Sequence, residues 1–97
     1  RAPTLRAAGL EMDPANRLVM FEGSEIDDLT AKEFAMLELL LRSRGRFVTK
    51  NRLLEGSSNW GDEAESNTVE VYISRLRKRF GHERIETLRG VGYRLKS

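Results

Sequence analysis

Between Ser66 and Phe80 apolar residues recur at helical spacing: at about 100° per residue, Val69, Ile73, Leu76 and Phe80 fall on one stripe. Asn67, Val71, Ser74, Arg75 and Lys78 gather on the opposite side, a mixture of amide, methyl, hydroxyl and cationic groups. The pattern predicts one amphipathic helix over 66–80. Ser66 is its expected N-cap, and Arg77, Lys78 and Arg79 suit the negative end of its dipole. The stripe belongs to a core. The opposite face fits either a solvated cationic coat or a surface that reads bases.

A second helical stripe, Phe34, Leu37, Leu40 and Leu41, follows Thr30 and Glu33, which have the spacing of a capping box, with Leu29 placed to staple against Phe34. Arg42, Arg44 and Gly45 provide a cationic last turn and a stop, so this helix is expected to run to about Ser43. Phe47-Val48 reads as a short extended link. Thr49 can then cap a brief helix, Lys50 to Glu55, with Leu53 and Leu54 facing inward.

The ends of the chain lack helical periodicity. From Leu5 to Ile26 short apolar stretches are punctuated by turn formers, best marked at Asp13-Pro14 and Glu22-Gly23, which predicts an antiparallel meander of three or four strands. After Gly81, a natural helix stop, Arg84–Leu88 and Tyr93–Lys96 alternate around Gly90-Val91-Gly92, a hairpin signal with glycine where φ must be positive. Residues 56–65, GSSNWGDEAE, read as a loop.

Composition narrows the class. Ninety-seven residues, 39% hydrophobic and 33% charged, suit one globular domain, and no apolar run approaches the roughly 20 residues of a membrane span. The opening Arg1-Ala2-Pro3-Thr4 has neither an initiator Met nor an apolar signal core, so residues 1–4 are expected to be the remnant of an interdomain linker and 5–97 the domain. The absence of cysteine removes disulfides and thiolate metal sites and fits the cytoplasm. A net charge of +2 announces nothing, but its distribution does: residues 1–29 carry net −3, 30–55 net +3, 56–65 net −3 and 66–97 net +5. A basic C-terminal third beside acidic segments suggests one phosphate-facing side.

Strands, three helices and a terminal hairpin, in that order, describe an α+β winged helix-turn-helix, in which the third helix enters the major groove and the hairpin forms the wing. The segments LTAKEFAMLELLL (29–41), Trp60-Gly61, NTVEVYISRLRKRF (67–80) and IETLRGVGYRL (85–95) also resemble the OmpR/PhoB-type effector domain of bacterial two-component response regulators, over nearly the whole chain. The resemblance implies a four-stranded N-terminal sheet, a three-helix bundle, a C-terminal hairpin wing and a receiver domain N-terminal to this chain.

It further implies binding of double-stranded DNA on direct repeats, homodimerisation of the full-length protein, control by a sensor kinase, and no cofactor. Val71, Tyr72, Arg75 and Arg77 fall at family positions that touch bases or phosphates, and Thr87 and Arg89 at wing positions that do the same. Asn67, Tyr72 and Ser74 stand where relatives can carry basic residues or histidine, which bears on the DNA sequence read. Lys78 shares the face of Arg75 and is expected on phosphate, while Arg79 lies between faces and reads as solvated. The loop carrying Trp60, Asp62, Glu63 and Glu65 corresponds to a segment that meets RNA polymerase in some activators; Trp60 covering a small apolar cluster is the plainer alternative.

Other chemistry finds no support. His82 is the only histidine and has no metal-ligand spacing around it. Gly90-x-Gly92 lacks the rest of a dinucleotide fingerprint, and Ser57 and Ser58 have no general base at a recognisable spacing. An enzyme is therefore not expected. A winged helix used mainly for protein interaction is the main rival, for which neutral or acidic residues at 71, 75 and 89 would be the sign; here they are Val71, Arg75 and Arg89.

Overall fold

The computed structural model describes residues 4–57 and 66–96, without the side chains of 56, 57 and 66–68. Four strands come first: β1 (Leu5–Ala7), β2 (Leu10–Asp13), β3 (Leu18–Phe21) and β4 (Ser24–Glu25). They form an antiparallel meander in sequence order, with Leu5 opposite Met12 and Met12 opposite Val19. Alternation along β2 buries Leu10 and Met12 and exposes Glu11, so one face of the sheet joins the core. Two connections are tight turns with both central residues at positive φ: Glu22-Gly23, as expected, and Ala8-Gly9, which is not among the turns marked in the sequence. The Asp13-Pro14 signal opens a single 3₁₀ turn, Pro14–Asn16.

Helix α1 (Ala31–Arg42) begins at the predicted capping box. Thr30 Oγ1 accepts from the Glu33 amide at 3.2 Å, and Glu33 Oε1 accepts from the Thr30 amide at 2.9 Å, which keeps the buried Glu33 carboxylate satisfied. The chain leaves α1 through Arg44 and Gly45, both at positive φ. It then forms β5 (Val48–Thr49) and α2 (Lys50–Ser57), where Thr49 Oγ1 accepts from the Arg52 amide.

Helix α3 spans Ser66–Phe80 and buries Val69, Ile73, Leu76 and Phe80 almost completely. Each such burial contributes about 1.5–3 kcal/mol relative to exposure, so the stripe fixes the rotation of α3 about its axis. Phe80 meets Phe21 edge to face at 5.0 Å, joining α3 to the N-terminal sheet. Arg84 strengthens the same junction, donating to the Ala8 carbonyl and to Glu22 at 2.6 Å with its guanidinium over the Phe21 ring.

The terminal hairpin is β6 (Ile85–Leu88) and β7 (Gly92–Leu95), and it is not alone. The expected Phe47-Val48 link contributes β5, which pairs with β7 to give a three-stranded sheet ordered β5-β7-β6. This pairing explains Gly92, whose φ is not positive: a Cβ there would lie 1.9 Å from the Val48 carbonyl oxygen. Gly90 alone supplies the positive φ of the three-residue tip.

Candidate nucleic-acid interface

With its apolar stripe buried, α3 presents the opposite face outward, and Val71, Ser74, Arg75 and Lys78 are all exposed on it. Both flanks of that face are pinned by polar contacts. On the wing side Glu70 accepts from Lys50 of α2 at 2.9 Å, and the neighbouring carboxylate holds the Lys50 ammonium above its ordinary pKa. About two helical turns further on, Arg77 donates from Nε and Nη2 to the Ile85 carbonyl, at 3.2 and 2.9 Å, and from Nη2 to Thr87 Oγ1 at 2.6 Å. The sequence places both Arg77 and Thr87 on DNA. In the structure they are engaged with each other, and Arg77 acts first as the bracket that holds β6 against α3.

On the other flank the half-buried Tyr72 packs against the core. The Arg75 guanidinium lies 5.1 Å from its ring centroid and the Lys32 ammonium 5.9 Å. Arg79, expected to be solvated, instead pairs with Asp28 at 2.8 Å, and this hydrogen-bonded partner lowers the Asp28 pKa. Sequence reasoning missed Lys50, Lys32 and Asp28 in this setting because each meets α3 across a long stretch of chain. The capping position of Lys50 beside Thr49 is the one local hint.

Between the pinned flanks, Arg75 and Lys78 have no carboxylate partner among the described residues, and the same holds for Arg89 at the wing tip. Leu88 and Val91 beside Arg89 are large apolar residues left nearly half exposed. Helix and wing border one cleft, lined by Lys50, Glu70, Thr87, Arg89 and Val91 among others. The side chain of Asn67 and residues Trp60, Asp62, Glu63 and Glu65 lie outside the described residues. No group of acidic or histidine side chains among the described residues could hold a metal.

A meander sheet, three helices, and a hairpin set beside the exposed third helix define a winged-helix domain. Residues 23–95 match the family described as "Transcriptional regulatory protein, C terminal". The chain belongs to this family, the OmpR/PhoB-type effector domains of response regulators. It is 44% identical over 99% of its length to the transcriptional regulatory protein TcrA of Mycobacterium tuberculosis, and 36% identical over 94% to the response regulator PmrA of Pseudomonas aeruginosa. It spans 39% and 41% of the length of those two relatives. Its fold matches the DNA-binding domain of RstA from Klebsiella pneumoniae, solved in complex with the RstA box, with a TM-score of 0.79 and 31% identity over 96% of each chain.

Proposed function

We propose that this chain reads double-stranded DNA as the effector domain of a two-component response regulator controlling transcription, with α3 in the major groove and the tip near 89–92 in the minor groove. The observation that carries the reading is the exposed face of α3, Val71, Ser74, Arg75 and Lys78, whose two cations have no carboxylate partner among the described residues, held in rotation by a buried stripe and two pinned flanks. The major groove admits an α-helix; Arg75 has the fork that matches guanine, and Val71 the methyls that suit thymine. Lys78 is assigned to phosphate, and Arg89 to the minor groove, whose potential is most negative over narrow A·T segments. Binding of the related RstA domain to its box supports the assignment.

The proposal extends to the longer protein. Residues 5–97 form the effector unit and 1–4 end a linker from a receiver domain, through which a sensor kinase acts. Two copies occupy direct repeats about one helical turn apart, roughly 10–11 bp, which sets both α3 helices on one side of the duplex. The compartment is the cytoplasm, and Trp60, Asp62, Glu63 and Glu65 are assigned to RNA polymerase. No helix among the described residues is long and apolar enough to cross a membrane.

Selection of bound sequences from random DNA tests the reading. Enrichment of a short motif, repeated at about one turn when the full-length protein is used, is the expected result. Recovery of unenriched DNA would overturn sequence-specific binding.

A further inference from the structure

The end of α1, the turn after it and the start of α2 enclose an open groove of about 640 Å³. Leu39 and Phe47, both half-buried, supply apolar surface, and Arg42, Arg44, Arg46 and Arg52 stand around it. Arg42 is paired with Glu38 at 2.8 Å. Arg44, Arg46 and Arg52 are exposed and have no carboxylate partner among the described residues. The turn that presents them is fixed by its backbone: the Arg44 amide donates to the Leu41 carbonyl at 3.2 Å and the Arg46 amide to the Ser43 carbonyl at 3.0 Å.

We infer that this groove docks an acidic segment of a partner protein, one that sets carboxylates on the arginine rim and an apolar side chain against Leu39 and Phe47. Three observations select that occupant. Strand register carries the groove away from the wing tip: Thr49 lies opposite Gly92, next to the tip, and Val48 opposite Tyr93, so the chain running back to Arg46 and Arg44 heads toward the far end of the hairpin. The Gly45 carbonyl accepts from Arg94 at 3.4 Å, toward the end of β7 away from the tip. The mixed lining suits a peptide, which can offer carboxylates and an apolar anchor together, better than a phosphodiester chain. A second copy of this chain has fewer carboxylates to offer, because Glu11, Glu22, Asp28, Glu38, Glu70 and Glu86 are each already paired with a base of the same molecule. The groove shares Thr49 but none of Val71, Ser74, Arg75, Lys78 or Arg89 with the surface proposed to read DNA, so a partner seated there leaves those side chains free.

The test uses a short fluorescein-labelled peptide in which Asp alternates with Leu, titrated by anisotropy against the 97-residue chain. A peptide alternating Asp with Ser is the control. The double variant Arg44→Asn, Arg46→Gln keeps a residue type at position 44 that tolerates positive φ, and its thermal midpoint reports folding. The expected result is binding of the Asp/Leu peptide with or without DNA, weakened about tenfold or more in the variant and in the control peptide, with DNA affinity unchanged. Absence of peptide binding to the unsubstituted chain would overturn the inference. So would loss of DNA affinity in the variant, which would assign the rim to DNA, or a self-association in sedimentation that the variant abolishes, which would assign it to a second copy. Arg75→Ala, included in parallel, should weaken DNA binding and leave the peptide untouched, so failure of the DNA reading is seen separately.

Discussion

Arg77 and Thr87 join the helix proposed to read DNA to the wing proposed to clamp it. The Arg77 guanidinium reaches the Thr87 hydroxyl at 2.6 Å while it also holds the Ile85 carbonyl. Replacing Arg77 with Ala should cost stability at the low end of the roughly 1.5–3 kcal/mol range for hydrogen bonds to a charged group, because Arg77 is only half-buried and water competes for its donors. Thr87→Val should cost less, since the Ile85 carbonyl still has its donors. Denaturant unfolding of the two variants checks the order, and an equal loss would contradict the bracket role.

Arg75 is positioned by the ring of Tyr72 rather than by a carboxylate. Arg75→Ala should reduce specific affinity more than non-specific affinity, by about 1–3 kcal/mol. Tyr72→Leu should produce a smaller loss in the same direction, near the 0.5–1 kcal/mol of an exposed cation–π contact, roughly twofold to fivefold. Equilibrium binding to cognate and scrambled duplexes at one salt concentration measures both. A uniform loss on the two DNAs would remove Arg75 from base reading.

Gly92 admits the β5 backbone where any side chain would collide with the Val48 carbonyl. Gly92→Ala should separate β5 from β7 and destabilise the domain by about 1–3 kcal/mol or more, as overpacking does. Gly90→Ala is the informative comparison: nothing lies within 4 Å of its added methyl, and strain comes from its positive φ alone. Thermal unfolding should place Gly92→Ala as the more damaging of the two.

Asp28 gives the domain an acid-sensitive contact. Its folded-state pKa lies below the ordinary 3.8 because Arg79 hydrogen-bonds the charged form. Stabilisation from the pair is therefore complete above pH 3.8 and disappears as pH falls through the lowered value. Arg79→Gln should narrow the stability difference between neutral and acidic solution, and at pH below the lowered value the two proteins should converge. The pair is exposed, so the effect at neutral pH should be small. A gap that persists at low pH would mean that Arg79 acts by packing instead.

The helices are legible in the sequence because their signals are local. Val69, Ile73, Leu76 and Phe80 recur within one helix, and Thr30 and Glu33 are three residues apart, so spacing alone orients α3 and starts α1. What escapes depends on partners distant in the chain. A two-residue strand such as Val48–Thr49 has no period to detect, and its pairing with β7 shows only in the fold. Arg79 looked solvated for the same reason, because its partner lies 51 positions upstream at Asp28. Ala8-Gly9 was hidden by composition: two small residues amid apolar neighbours do not look like a turn unless alanine is allowed positive φ.

Strand β5 has a mechanical consequence. It is hydrogen-bonded to the wing through β7 and runs without a break into Lys50 of α2, whose ammonium grips Glu70 of α3. Helix and wing are thus linked like two jaws of one caliper, so that a shift of one is passed to the other through β5 and α2. On the proposed docking, a duplex whose groove spacing does not match the jaws strains one contact as it satisfies the other. The domain would then sort DNA by its shape before any base edge is read.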